Sequence, residues 1–256
     1  MRFCVIMAAM TQSVRINHQP AFLLSATPWR ENSSLIELFS RDHGRVGMVA
    51  RSARTRQSEL RGVLVPFVQV SASWYGKEEL KTLHRAEWTG GWPQPQGRAL
   101  FSGLYVNELV LKLSAREDPH PQVFEALHTV LHTIATEPNH VAALRCFEWR
   151  LLEVFGFAPD LQQDEHGQNV DTQQRYWLRP EHALLPLAQA QALPYGETAG
   201  VAVDGATLAE LRQGCFSNGQ RLQEALKITR LLLDFRLPEG IKSRQILQQL
   251  QQFKAT

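Results

Sequence analysis

Four arginines crowd into the twelve residues RSARTRQSELRG at positions 51–62, where Arg51, Arg54, Arg56 and Arg61 face a single carboxylate, Glu59. Guanidinium groups at this density suit a polyphosphate, because each neutralised phosphate releases condensed counterions and adds a salt-dependent increment of affinity. Arg45 precedes the run, while Lys77, Lys81 and Arg85 follow it, diluted by Glu78, Glu79 and Glu87. A solvated loop has the same composition, so charge alone leaves both readings open. Single strands also need flat surfaces, since bases stack on aromatic rings for roughly 1–3 kcal/mol each. Trp29, Phe39, Phe67, Trp74, Tyr75 and Trp88 share this part of the chain. Aromatics at alternating strand positions ordinarily fill a core, so only Trp29 and Tyr75, which lie near turns, stand as stacking candidates.

A second group lies further on. Arg145 near Phe147 and Leu151, with Lys227 and Arg230 near Leu231, sets positive charge beside apolar surface. That combination can receive a short acidic and hydrophobic peptide, guanidinium holding carboxylate while a groove buries an aromatic side chain. Ordinary amphipathic helices share the pattern. His128 and His132 have the i, i+4 spacing of a helical metal pair, but no carboxylate or cysteine ligand stands beside them, and a solvated helix face is the simpler reading. The chain has no GxSxG elbow, GxxxxGK[ST] loop, HExxH pair or DxD cluster. We therefore expect a binding protein rather than an enzyme, with no cofactor.

Composition agrees with a folded protein: 256 residues, 44% hydrophobic and 20% charged, with a net charge of +2 that is too small to identify a nucleic-acid binder. Cys4, Cys146 and Cys215 stand far apart without a CxxC pair, which fits buried thiols in a reducing cytosol. The apolar run at residues 3–10 is too short for a signal peptide and is followed by Thr11, Gln12, Ser13 and Arg15, and no stretch approaches the length of a membrane span. A cytoplasmic protein is expected, with residues 1–18 an extra segment and translation starting at Met7 or Met10.

The elements that must position these groups follow from periodicity. Residues 19–88 read as five short strands, with a hairpin turn at Asp42, His43 and Gly44, which suits a five-stranded OB-like barrel over 19–90. Gly90, Gly91, Pro93, Pro95 and Gly97 break the pattern, and a helical period takes over in a domain spanning 98–256. Leu100 to Leu109 mark one helix and Val123 to Ile134 a second, and Asn139 is expected to cap a third that ends at Gly156. Residues 157–203, with Pro180, Pro186 and Pro194, read as an irregular insertion, after which helices return, the last carrying Ile246, Leu247, Leu250 and Phe253. The fold class is α+β.

The stretch SLIELFSRDHGRVGMVARSAR followed by GVLVPFVQV resembles the start of the RecO family of bacterial recombination mediators, and LYVNEL, LRCFEWRLLEVFGF and KSRQIL resemble the family's later helices. The likeness runs from about residue 19 to 253. It implies an OB fold joined to a helical domain, single-strand annealing, and loading of recombinase onto DNA coated by single-strand-binding protein. It makes Arg51, Arg54, Arg56 and Arg61 candidate contacts for single-stranded DNA, with duplex DNA a further ligand. Arg145, Lys227 and Arg230 become candidates for the acidic C-terminal tail of single-strand-binding protein, and RecR is implied as a partner without a surface. Many family members hold a four-cysteine zinc site in the insertion; residues 157–203 contain no cysteine, and His166 and His182 cannot replace four thiolates, so no metal is expected. An RNA-binding barrel and a protein adaptor without nucleic-acid affinity remain the alternatives.

Overall fold

The computed structural model describes residues 15–192 and 199–255. Cys4, Met7, Met10 and Pro194 lie outside the described residues. Strands β1 (Arg15–Trp29), β2 (Ser33–Ser40), β3 (Gly44–Ala50), β4 (Gln69–Tyr75) and β5 (Lys81–Trp88) close into a barrel in the order β1-β2-β3-β5-β4. All neighbours are antiparallel except β3 and β5, whose parallel pairing of Met48 with Lys81 and Val49 with Thr82 shuts the cylinder. A one-turn helix, α1 (Leu60–Val63), stands between β3 and β4. The first strand begins at Arg15, so residues 15–18 are part of it.

Four consecutive apolar residues in β1, Ala21 to Leu24, are all buried because both faces of the strand are covered. Ala21 and Leu23 point inward with Ile36, Leu38, Met48 and Val70. Phe22 and Leu24 point outward into the core of the helical domain. Phe39 and Phe67 join them there, and Phe22 lies 5.1 Å from Phe124, ring to ring.

The helices are α2 (Arg98–Leu113), α3 (Pro121–Thr136), α4 (Val141–Val154), α5 (Gly205–Gln213), α6 (Gly219–Arg236) and α7 (Lys242–Ala255). Pro121 opens α3, where its missing N–H costs no helical bond. The cap of α4 differs by one residue from expectation: His140 is the N-cap, and Asn139 Oδ1 reaches the Val141 amide only at 3.5 Å. Gly156, at φ 73°, ends that helix as expected. Between α4 and α5 the chain is irregular for most of its length. It also holds a small sheet of β6 (Arg175–Leu178), β7 (Leu185–Pro186) and β8 (Val201–Asp204) in the order β7-β6-β8. Strands of two to four residues are too short to register as periodicity. Tyr176, Leu178 and Leu184 anchor this segment in the helical core. Among the described residues, no group of three or more histidines, cysteines or carboxylates is placed to hold a metal, and no helix is long and apolar enough to cross a membrane.

The loop between α2 and α3 clasps the barrel. Arg45 Nε donates to the Ser114 carbonyl at 3.1 Å, and the Glu117 amide donates to the Arg45 carbonyl at 2.9 Å. Arg116 bridges Glu37 and Glu79, while Lys81 meets Glu117 at 2.6 Å. Gly44 makes this approach possible: it sits at φ 64°, and a Cβ there would lie 2.1 Å from the Asp118 carbonyl oxygen. Gly44→Ala should therefore cost about 2–3 kcal/mol through strain and overlap with backbone. The urea midpoint would show this loss, and an unchanged midpoint would mean that the clasp does not hold the two parts together.

Candidate nucleic-acid interface and partner groove

The basic segment leaves β3 as a string of turns. Thr55 donates to the Ser52 carbonyl through both its amide and its hydroxyl, at 3.1 and 2.9 Å, and the amides of Ser58 and Arg61 continue the pattern. Ala53 plugs into the barrel core, and the Arg54 amide donates to the Asn32 carbonyl at the tip of the β1–β2 hairpin. The backbone is thus pinned, while Arg51, Arg54, Arg56 and Arg61 are all exposed. None of the four has an ion-pair partner among the described residues. Arg54 Nη1 makes only a long contact, 3.4 Å, to the Arg30 carbonyl. That contact sets the hairpin tip beside the loop and brings Arg30, itself exposed, and Trp29, 41% exposed, to the same edge.

The other proposed contacts lie elsewhere. Arg45 is spent on Glu37 and the Ser114 carbonyl inside the clasp. Lys81 is buried and bound to Glu117 and the Glu78 carbonyl. Lys77 is exposed, but it lines a cavity of about 420 Å³ with Asp42 and His43, which precede β3, whereas the arginine loop follows it. Tyr75 is half-buried with its ring centroid 6.4 Å from that of His84. Phe39, Phe67 and Trp74 are core, but Trp88 is 61% exposed at the end of β5. Sequence reasoning passed over Arg30 and Trp88 because neither belongs to a charge run or a turn signature.

In the helical domain, Arg145 and Arg230 come together at a cavity of about 190 Å³ walled by Phe101, Leu144, Leu226 and Leu247. Its floor is a buried carboxylate, Glu148, 1% exposed. Arg145 Nη2 donates to Glu148 Oε1 at 2.5 Å, as does the Tyr105 hydroxyl at 2.7 Å, and Thr229 Oγ1 donates to Oε2 at 2.5 Å. Burial first and the Glu148 charge second push the Tyr105 phenol well above its usual value, so it remains a donor. With Glu148 saturated, Arg145 Nε is buried without a hydrogen-bond partner. Arg230 is exposed at the rim, with no ion pair among the described residues. Arg244, which the sequence did not mark, also lines the cavity, 5.7 Å over the Tyr105 ring and paired with Asp234 at 2.6 Å.

Phe147 and Leu151 are buried in the core and do not line the cavity, and Lys227 is exposed away from the lining. His128 and His132 pack edge-on against Trp92 of the interdomain segment, with ring centroids 5.1 and 5.3 Å away.

Two family models cover nearly the whole described chain, Recombination protein O N terminal over residues 14–92 and Recombination protein O C terminal over residues 94–245. Similar proteins bear the name DNA repair protein RecO. One from Neisseria meningitidis serogroup A is 58% identical over 239 residues, covering 93% of this chain and 90% of that protein. One from Aromatoleum aromaticum is 41% identical over 246 residues, covering 95% and 100% respectively. One from Chromobacterium violaceum is 38% identical over 245 residues, covering 94% and 98%.

The α7 wall of the cavity is fixed by Glu108, whose two carboxylate oxygens each accept at 2.8 Å, from the Lys242 and the Ser243 amides. Burial opposes its ionisation, but these amides and Lys112 hold the carboxyl below its usual value. A carboxylate depressed in the folded state stabilises above its unfolded pKa, about 4.3, and that contribution fades as pH falls through the lower folded value. Glu108→Gln should flatten the acid limb of the unfolding curve below about pH 4.5 and cost about 0.5–1 kcal/mol at neutral pH, a range reduced for the group's partial exposure. An acid limb identical to wild type would show that Glu108 is not the anchor.

Proposed function

The chain belongs to the recombination protein O family and its role lies in DNA repair and recombination, and from that premise we propose that it binds single-stranded DNA along the arginine loop of its barrel, anneals complementary strands, and helps load recombinase onto strands coated by single-strand-binding protein. The observation that carries this reading is the pinned backbone of residues 51–62 with Arg51, Arg54, Arg56 and Arg61 exposed and unpaired among the described residues. A rigid row of free guanidinium groups meets successive phosphates without first breaking internal ion pairs. Trp29 and Arg30 extend the edge with a stacking surface and a fifth cation.

The helical cavity supplies the second grip. An acidic peptide tail ending in an aromatic residue fits its chemistry, with carboxylates on Arg230 and Arg145 and the ring between Phe101, Leu144 and Leu247. Held at once by the strand and by the protein that coats it, two covered strands are brought to high effective concentration with part of their charge neutralised. Annealing follows without nucleotide hydrolysis or a covalent step. RecR is the further partner that membership of the family implies, and a role on chromosomal strands supports a cytoplasmic location beside the nucleoid.

Binding of a fluorescent single-stranded oligonucleotide across a salt series tests the loop. Arg51, Arg54 and Arg56 changed together to alanine should weaken binding at least tenfold and lower the slope of log affinity against log salt by about 2, since each single-strand phosphate contact contributes roughly 0.7. Salt-insensitive binding, or a slope unmoved by the substitutions, would favour a protein adaptor, and equal competition by RNA would favour a general barrel binder.

A further inference from the structure

Two thiols outside both sites stand close together. Cys146, half-buried on α4, directs its Sγ at the Gly214 carbonyl, 3.4 Å away. Cys215 is the next residue after Gly214 and is exposed in the connection from α5 to α6. A Cβ built on Gly214 would lie 3.5 Å from the Cys146 sulfur. Cys215 follows one Cα step, about 3.8 Å, further on, and its Sγ lies 3.8 Å from the Gln213 carbonyl, so closing a disulfide requires this loop to turn the side chain toward Cys146. That adjustment falls on the few residues between Gly214, which ends α5 at φ 73°, and Asn218, which caps α6, and not on a helix.

We propose that Cys146 and Cys215 form an oxidisable dithiol, a modification site at which peroxide closes an intrachain disulfide that a thiol reductant reopens. Cys215, exposed, takes the oxidant. Its thiolate attacks one peroxide oxygen, giving a sulfenic acid and a hydroxide that takes up a proton and leaves as water. The Cys146 sulfur then attacks the sulfenic sulfur, the S–S bond forms, and the S–OH oxygen departs with the Cys146 proton as a second water. Two thiols have lost two hydrogens and one peroxide has become two waters. Burial, then the neighbouring Cys215, push the Cys146 thiol up, which disfavours it as the first nucleophile and leaves the oxidant to Cys215. The cavity of about 340 Å³ between α3 and α4 opens onto Cys146 and leaves room for that sulfur to turn. The link ties α4, which carries Arg145 and Glu148, to the head of α6, which carries Thr229 and Arg230, and so braces two walls of the partner groove.

The proposal is independent of DNA or peptide binding and is tested covalently. Full-length protein with Cys4→Ser is exposed to hydrogen peroxide, digested without reduction and examined by mass spectrometry. The expected product joins the Cys146 and Cys215 peptides in a monomer lighter by two hydrogens. Dithiothreitol reverses it, and closure raises the thermal midpoint by roughly 5–10 °C. Cys215→Ser, at an exposed position, keeps the fold and loses the cross-link entirely. Sulfinic acid on Cys215, a link only between two chains, or unmodified thiols would each overturn the proposal.

Discussion

Phe22 and Leu24 leave a barrel strand on the side that water would normally cover, and they are buried instead among Val106, Val110 and Phe124 of the helical domain. The strand thus has no wet face over this stretch, and the wall of the barrel is also the roof of the helical core. Burial of such side chains is worth about 1.5–3 kcal/mol each, so the two parts lose substantial stability if they separate. Asn107 of α2 reinforces the contact by donating to the Leu23 carbonyl at 2.9 Å, next to the bulge that carries β1 past Ser25. The arginine loop and the cavity lined by Arg145 and Arg230 are therefore fixed on one body, as preorganised surfaces.

Charge is sorted by the same architecture. Arg45, Arg116 and Lys81 are consumed by Glu37, Glu79 and Glu117 in the clasp. Arg145 is half consumed, one end holding Glu148 while Nε stays unpaired. Removing a partner from a pair this buried costs about 3–5 kcal/mol, so Arg145 serves the fold before it serves a ligand. Exposed cations without an ion pair among the described residues include the loop arginines, Arg30 and Arg230.

Much of this was legible in the sequence. The five strands, the breaker at Gly90 to Gly97 and the stripes of α2 to α4 carry strong periods, and the structure forms each of them. The arginine loop was legible because its charge is local. What escaped was long-range: Lys81 and Arg45 look like Arg54 in composition, and only the return of residues 114–118 to the barrel reveals that they are occupied. Phe147 and Leu151 looked like groove residues because they neighbour Arg145 in sequence, but both are buried in the core and neither lines the cavity. Arg244 and Tyr105 reach the cavity only through the packing of α7 on α2. The small sheet of β6 to β8 is too short for any period to announce it.

On the proposed function, one rigid molecule holds the strand and its coating protein together. Annealing of complementary strands coated by single-strand-binding protein can be timed with an equal mixture of two variants, one with Arg51, Arg54 and Arg56 changed to alanine, the other Arg230→Glu. If both grips must share one body, the mixture anneals no faster than either variant alone while wild type is at least tenfold faster, the scale of an effective-concentration advantage. Annealing by the mixture at the wild-type rate would overturn this function, because it would show that the loop and the groove work as well on separate molecules.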